Sequence, residues 1–213
     1  MKTSQFIDLL SSDVQPVRRG IVGKALAVAL VIGGVAAVIL MLITVGLRPD
    51  VFQGAGSMLL LVKLLFTLSL VALGTLFLIA ASYPGRNVRR RLAFLLLPFL
   101  AIASLGLGAI LLATPMTRQD MIFGPEWLTC LMCIPLFAIA PFAALIWALR
   151  MAAPTDLRRT GAIAGLVAGA LGATAYALHC PGDSIPFIAI WYGLPILLWT
   201  LLGAVLGPHL LRW

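Results

Sequence analysis

The feature that most constrains this chain is a series of six long apolar runs separated by short polar stretches. They cover about residues 23–47, 58–82, 92–113, 127–150, 160–179 and 185–206. A helix needs about 20 apolar residues to cross the hydrocarbon core of a bilayer. In that solvent each backbone N–H and C=O must find its partner within the protein, so a run of this length reads as a helix. The sequence therefore predicts an all-α integral membrane protein, a bundle of six transmembrane helices. Only 10% of residues are charged, against roughly a quarter in soluble domains. The spans and their loops use nearly all of the chain and leave no room for a soluble catalytic domain. The first run is too long for a signal-peptide core, and no small-residue cleavage site follows it, so it reads as a retained span.

Charge sets the orientation. The net charge of +8 does not point to nucleic acid, because the basic residues sit in the short connections between spans. Lys2, Arg18, Arg19, Lys24, Arg86, Arg89, Arg90, Arg91, Arg150, Arg158, Arg159 and Arg212 fall on one side, twelve in all. Arg48 and Arg118 fall on the other. Basic residues favour the cytoplasmic side, so both termini are expected in the cytoplasm at a bacterial inner membrane. Residues 1–20 then form a cytoplasmic segment. Within it Phe6, Ile7, Leu9 and Leu10 lie largely on one face at helical spacing, with Thr3 or Ser4 as a cap. A short amphipathic helix of this kind docks in a partner's groove or lies on the membrane surface.

The same orientation puts all three cysteines at the outer face. Cys130 lies one turn into the fourth span, Cys133 one turn deeper, and Cys180 closes the fifth. That face meets an oxidising compartment. A bridge between Cys130 and Cys133 at i and i+3 would distort their helix, so a bridge from Cys130 to Cys180 fits better. Closing that loop of about fifty residues is worth about 4 kcal/mol in the chain-entropy model. Cys133 reads as a small buried hydrophobe or a second-choice partner.

Four more features matter. His179, Cys180, Cys130 and Glu126, with Asp183 near by, are residue types that ligate a soft or borderline metal, although their spacing matches no compact zinc motif. Lys63 lies inside the second span, where a charge costs about 2.5–3.5 kcal/mol at mid-membrane; it is expected to snorkel outward or to pair with Glu126 or Asp120. Trp127, Trp191, Tyr192, Trp199 and Trp213 read mostly as interface anchors. Gly161, Gly165, Gly169 and Gly172 give the fifth span a small-residue face suited to close packing within the bundle.

Four stretches together resemble the NrsF-type membrane proteins, six-span anti-sigma factors. They are Phe6-Ile7-Asp8-Leu9-Leu10 followed by residues 14–17, and Gly124-Pro125-Glu126-Trp127-Leu128-Thr129-Cys130-Leu131 running to Ile134-Pro135-Leu136. The others are residues 144–154, and Tyr176-Ala177-Leu178-His179-Cys180-Pro181 with Ala189-Ile190-Trp191-Tyr192. The resemblance covers nearly the whole chain. It implies that the N-terminal segment holds an extracytoplasmic-function sigma factor at the membrane. It also implies that a redox or metal signal at an outer cysteine pair, Cys130 and Cys180, releases that factor. No catalysis, no small-molecule substrate, no direct nucleic-acid contact and no cofactor beyond a transient metal ion are then expected. The partners would be the sigma factor and the lipid bilayer. Two other classes fit the residues: a membrane thiol oxidoreductase, which would need a quinone pocket or a second disulfide motif, and a small transporter, for which Lys63 alone makes a poor polar pathway.

Overall fold

The computed structural model describes residues 3, 5, 7, 20–48, 57–83, 92–124, 126–152, 154–182 and 184–212. Among these residues there is no strand. Six helices are long and apolar enough to cross a membrane, as the apolar runs predict. They are α1 (Ile21–Thr44), α2 (Ser57–Ala81), α3 (Leu92–Leu112, with a tight first turn), α5 (Trp127–Leu149), α6 (Leu157–Ala177) and α7 (Ile185–Leu210). The ends of the last two spans shift by a few residues from the sequence expectation. Where that expectation has only a loop before Glu126, a seventh helix, α4 (Pro115–Phe123), occupies most of it. Its start is typical: Thr114 is extended and Pro115 takes the first helical position, where a missing N–H costs nothing.

Two ends of the bundle can be told apart by contacts across it. At one, Arg150 Nε donates to the Leu210 carbonyl at 2.8 Å, joining the ends of α5 and α7. Asp156 caps α6 there, its carboxylate accepting from the Arg159 N–H at 3.0 Å. At the other, the Arg48 N–H donates to the Leu178 carbonyl at 3.3 Å, joining the end of α1 to the end of α6. The cysteines lie at this second end.

The centre of the bundle is α6. Most of its residues are buried, whereas α1, α2 and α3 turn side chains such as Val31, Leu61, Leu65, Leu100 and Leu107 outward. That apolar exterior is what a bilayer would solvate. The glycine face of α6 packs inside the bundle, as its spacing predicts. Gly161 and Gly165 lie against the α7 backbone at Gly203, Gly207 and Trp199, and a side chain at either position would strike main-chain atoms. Gly172 faces α5, where a Cβ would sit 2.7 Å from the Ile134 carbonyl oxygen. Both α5 prolines are kept within the helix, and Pro141 packs on Gly33 of α1.

The tryptophan expectation needs correction. Trp191, Tyr192 and Trp199 are interior residues. Trp199 packs on Phe142 with ring centres 5.2 Å apart. Trp191 sits in a wide, π-type turn of α7, Ile188–Tyr192, and its Nε1 donates to the Ile122 carbonyl of α4 at 2.7 Å. Ser184 Oγ caps the start of α7 and also donates to the Met121 carbonyl at 2.5 Å. These two bonds seat α4 across the cysteine-bearing end, over the Trp127–Trp191 ring pair at 5.0 Å.

Candidate functional site: a buried thiol pair

Two helix ends bring the sulfurs together. Cys130 sits at the start of α5, where its N–H makes one of the first intrahelical bonds, to the Glu126 carbonyl. Beyond Ala177, the chain winds one further turn, with His179 and Cys180 both donating to the Tyr176 carbonyl at 3.0 and 3.1 Å. Pro181 then has no N–H to continue it. The result points Cys180 at α5. The two Sγ atoms are 3.7 Å apart and both residues are fully buried. Cys133 is half-buried on the next turn of α5 and makes no hydrogen bond to either thiol among the described residues.

Three other elements fix the Cys180 turn. Lys63 of α2 is completely buried, and its Nζ donates to the Cys180 carbonyl at 2.8 Å. This overturns the snorkelling expectation. The ammonium is directed to a backbone carbonyl, while Glu126, its expected partner, sits against His179 instead. Arg48 Nη1 reaches the same carbonyl at 3.3 Å. Gly46, in the left-handed conformation that ends α1, turns its carbonyl to His179 Nδ1 at 3.0 Å. His179 Nε2 lies 3.7 Å from Glu126 Oε2. The turn is thus held by α1, by α2 and by the residue that opens α5.

Two tyrosines complete the surroundings. Tyr176 and Tyr192 are fully buried, and neither hydroxyl makes a hydrogen bond of ordinary length among the described residues. Both rings pack in the same buried cluster as Cys130 and Cys180. Cys180 lies beyond the end of α6. A hydrogen bond from the Cys130 thiol, helped by the Lys63 ammonium, holds its thiol below the ordinary range against the opposing effect of burial. Chemically, the arrangement suits two-electron oxidation of a vicinal pair. A small movement of the turn would bring the sulfurs to the bonding distance of about 2.05 Å.

Among the described residues, no group of three or more His, Cys, Asp or Glu side chains is arranged to hold a metal ion. Cys130 and Cys180 form one pair and Glu126 and His179 another. Of the predicted N-terminal docking residues, Phe6, Leu9 and Leu10 lie outside the described residues, as does Asp183. Ile7 is described, helical and exposed. Reading the sequence missed the roles of Arg48, Gly46, Tyr176 and Tyr192. The buried tyrosines carried a faint signal, each lying on an apolar helix close to the cysteines.

Fold and site together define a multi-pass helical membrane protein with a thiol pair buried at one end of its bundle. The chain belongs to the NrsF family, described as "Negative regulator of sigma F", whose family model matches residues 10–213. It is 34% identical, across an alignment of 214 residues that covers all of both chains, to a probable anti-sigma-F factor NrsF of Azospira oryzae. Identity and coverage are the same for the anti-sigma-F factor NrsF of Caulobacter vibrioides. The family is a regulatory class, not a catalytic one. No solved structure is detectably similar.

Proposed function

We propose that this protein is a redox-responsive anti-sigma factor of the bacterial inner membrane. Its cytoplasmic segment, residues 1–20, holds a sigma factor of the extracytoplasmic-function type away from RNA polymerase. Oxidation of Cys130 and Cys180 at the periplasmic face lets that factor go. Full-length similarity to anti-sigma-F factors supports the partner class, and the bias of basic residues supports the orientation. The observation that carries the redox reading is the pair of buried sulfurs 3.7 Å apart. A metal-triggered version has less support, because no third ligand joins the pair among the described residues.

The route across the membrane is α6. Cys180 follows its outer end directly, and the Asp156 carboxylate caps its other end by accepting from the Arg159 N–H. Its glycines lock it onto α7 and α5, so a pull on the Cys180 turn moves packed helices together rather than bending one. The test is a sigma-dependent reporter in cells exposed to oxidant. The wild-type chain is expected to induce it and the Cys130→Ser/Cys180→Ser chain to stay silent. Equal induction by both would defeat the redox reading. Deleting residues 1–14 is expected to free the sigma factor while the bundle stays in the membrane. Retention of the partner after that deletion would place the docking surface elsewhere.

A further inference from the structure

The two sulfurs sit in unlike surroundings. Cys130 is fixed within a regular helix, on the face of α5 that also carries the buried Ile134 and Phe137. Cys180 lies in an irregular turn before Pro181 and Gly182, past the end of α6. Donors gather about it. Lys63 Nζ and Arg48 Nη1 both donate to its carbonyl, which sets two cationic side chains around this turn. Nearby positive charge favours the thiolate, which is the reactive nucleophile.

From this asymmetry we infer a division of labour, resting on the redox reading above. Cys180 is the sulfur that reacts with the oxidant, Cys130 resolves the product, and Lys63 is the positioning residue that holds the Cys180 turn in place. The oxidant class that fits is a small uncharged hydroperoxide. Both sulfurs are fully buried, so a charged oxidant would have to shed its hydration to reach them.

The chemistry balances in two steps. The Cys180 thiolate attacks one peroxide oxygen, forming an S–O bond as the O–O bond breaks. Sulfur is oxidised to sulfenic acid, and the departing oxygen leaves as water, or as alcohol from an organic peroxide, with the proton the thiol gave up. The Cys130 thiol then attacks the sulfenic sulfur. An S–S bond forms, the S–O bond breaks, and the hydroxyl departs as water with the Cys130 proton. Cys180 lies in a turn outside the regular helix, so it can approach the helical Cys130 by a shift of the turn alone.

The test uses the purified full-length protein in lipid nanodiscs, treated with hydrogen peroxide and a dimedone-type sulfenic-acid trap, with sites read by mass spectrometry. In the Cys130→Ser chain, label is expected on Cys180. In the Cys180→Ser chain, label on Cys130 is expected at least tenfold more slowly. Equal rates, or a faster Cys130, would overturn the assignment. Adding Lys63→Met to the Cys130→Ser chain is expected to slow Cys180 labelling about tenfold, and Lys63→Arg to restore it to within about threefold. Lys63→Met labelling at the parent rate would remove Lys63 from the mechanism. Should Lys63→Met fail to fold, Arg48→Gln at the rim replaces it, with a slowing of about threefold expected and an unchanged rate counting against the donor cluster. No sigma factor is present in the assay. A cell reporter indifferent to the cysteines would defeat the signalling role and leave this result untouched.

Discussion

One helix, α6, carries two regions that are held in opposite ways. Along its length, glycines meet the backbones of α7 and α5 with no side chain between them. Past its C-terminal end, the Cys180 turn is held by long side chains, Lys63 and Arg48, and by the turn carbonyl of Gly46. The seam is steric and has one arrangement, because a close-packed interface has no slack. The rim is polar, and its bonds can be exchanged for others at modest cost. The difference assigns roles: the seam keeps the helices moving as a unit, and the rim is where a chemical event can change the resting position.

Substitutions sharpen that contrast, in descending order of effect. Gly165→Leu would drive a side chain into the α7 main chain at Trp199. It is expected to cost about 3 kcal/mol or more, seen as loss of folded protein in detergent thermal melts. Lys63→Ala leaves the Cys180 carbonyl without its closest donor and is expected to cost about 2 kcal/mol. If Lys63→Ala destabilised the bundle more than Gly165→Leu, the rim and not the seam would be its structural anchor. Trp191→Phe keeps the ring and removes only the bond to Ile122, a loss of about 1 kcal/mol. Its sharper readout is faster amide exchange in α4 alone. Cys133→Ser touches neither the pair nor the seam, and is expected within about 0.5 kcal/mol of the parent, with the oxidant response intact. A lost response in that variant would return Cys133 to the site.

The sequence carried the parts of this picture that depend on repetition. Apolar runs of spanning length have one solution in a bilayer, so six helices could be read directly. The recurrence of Gly161, Gly165 and Gly169 at every fourth position marks a close seam whatever the partner helix is. Cys130 and Cys180 could be placed at helix ends on one side, but not at 3.7 Å, because that distance depends on the extra turn after Ala177. Lys63 misled for a physical reason. A lysine is long enough to snorkel, and its observed partner is a main-chain carbonyl 117 residues away, which no side-chain pattern announces. Trp191 misled in the same way, since a tryptophan near a span end looks alike whether its N–H meets lipid headgroups or the Ile122 carbonyl. The short helix α4 was not read from the sequence, because its polar composition looks like a loop, although Pro115 takes the first helical position.

The central claim is that oxidation joins Cys130 to Cys180 and that this bond is what frees the partner. The direct measurement is disulfide mapping by mass spectrometry on membranes from oxidant-treated cells, taken in the same samples as sigma-factor release. A Cys130–Cys180 linkage is expected to rise in step with release, and the Cys130→Ser/Cys180→Ser chain to show neither. Release that proceeds while both thiols stay reduced, or a linkage that runs through Cys133, would contradict the account.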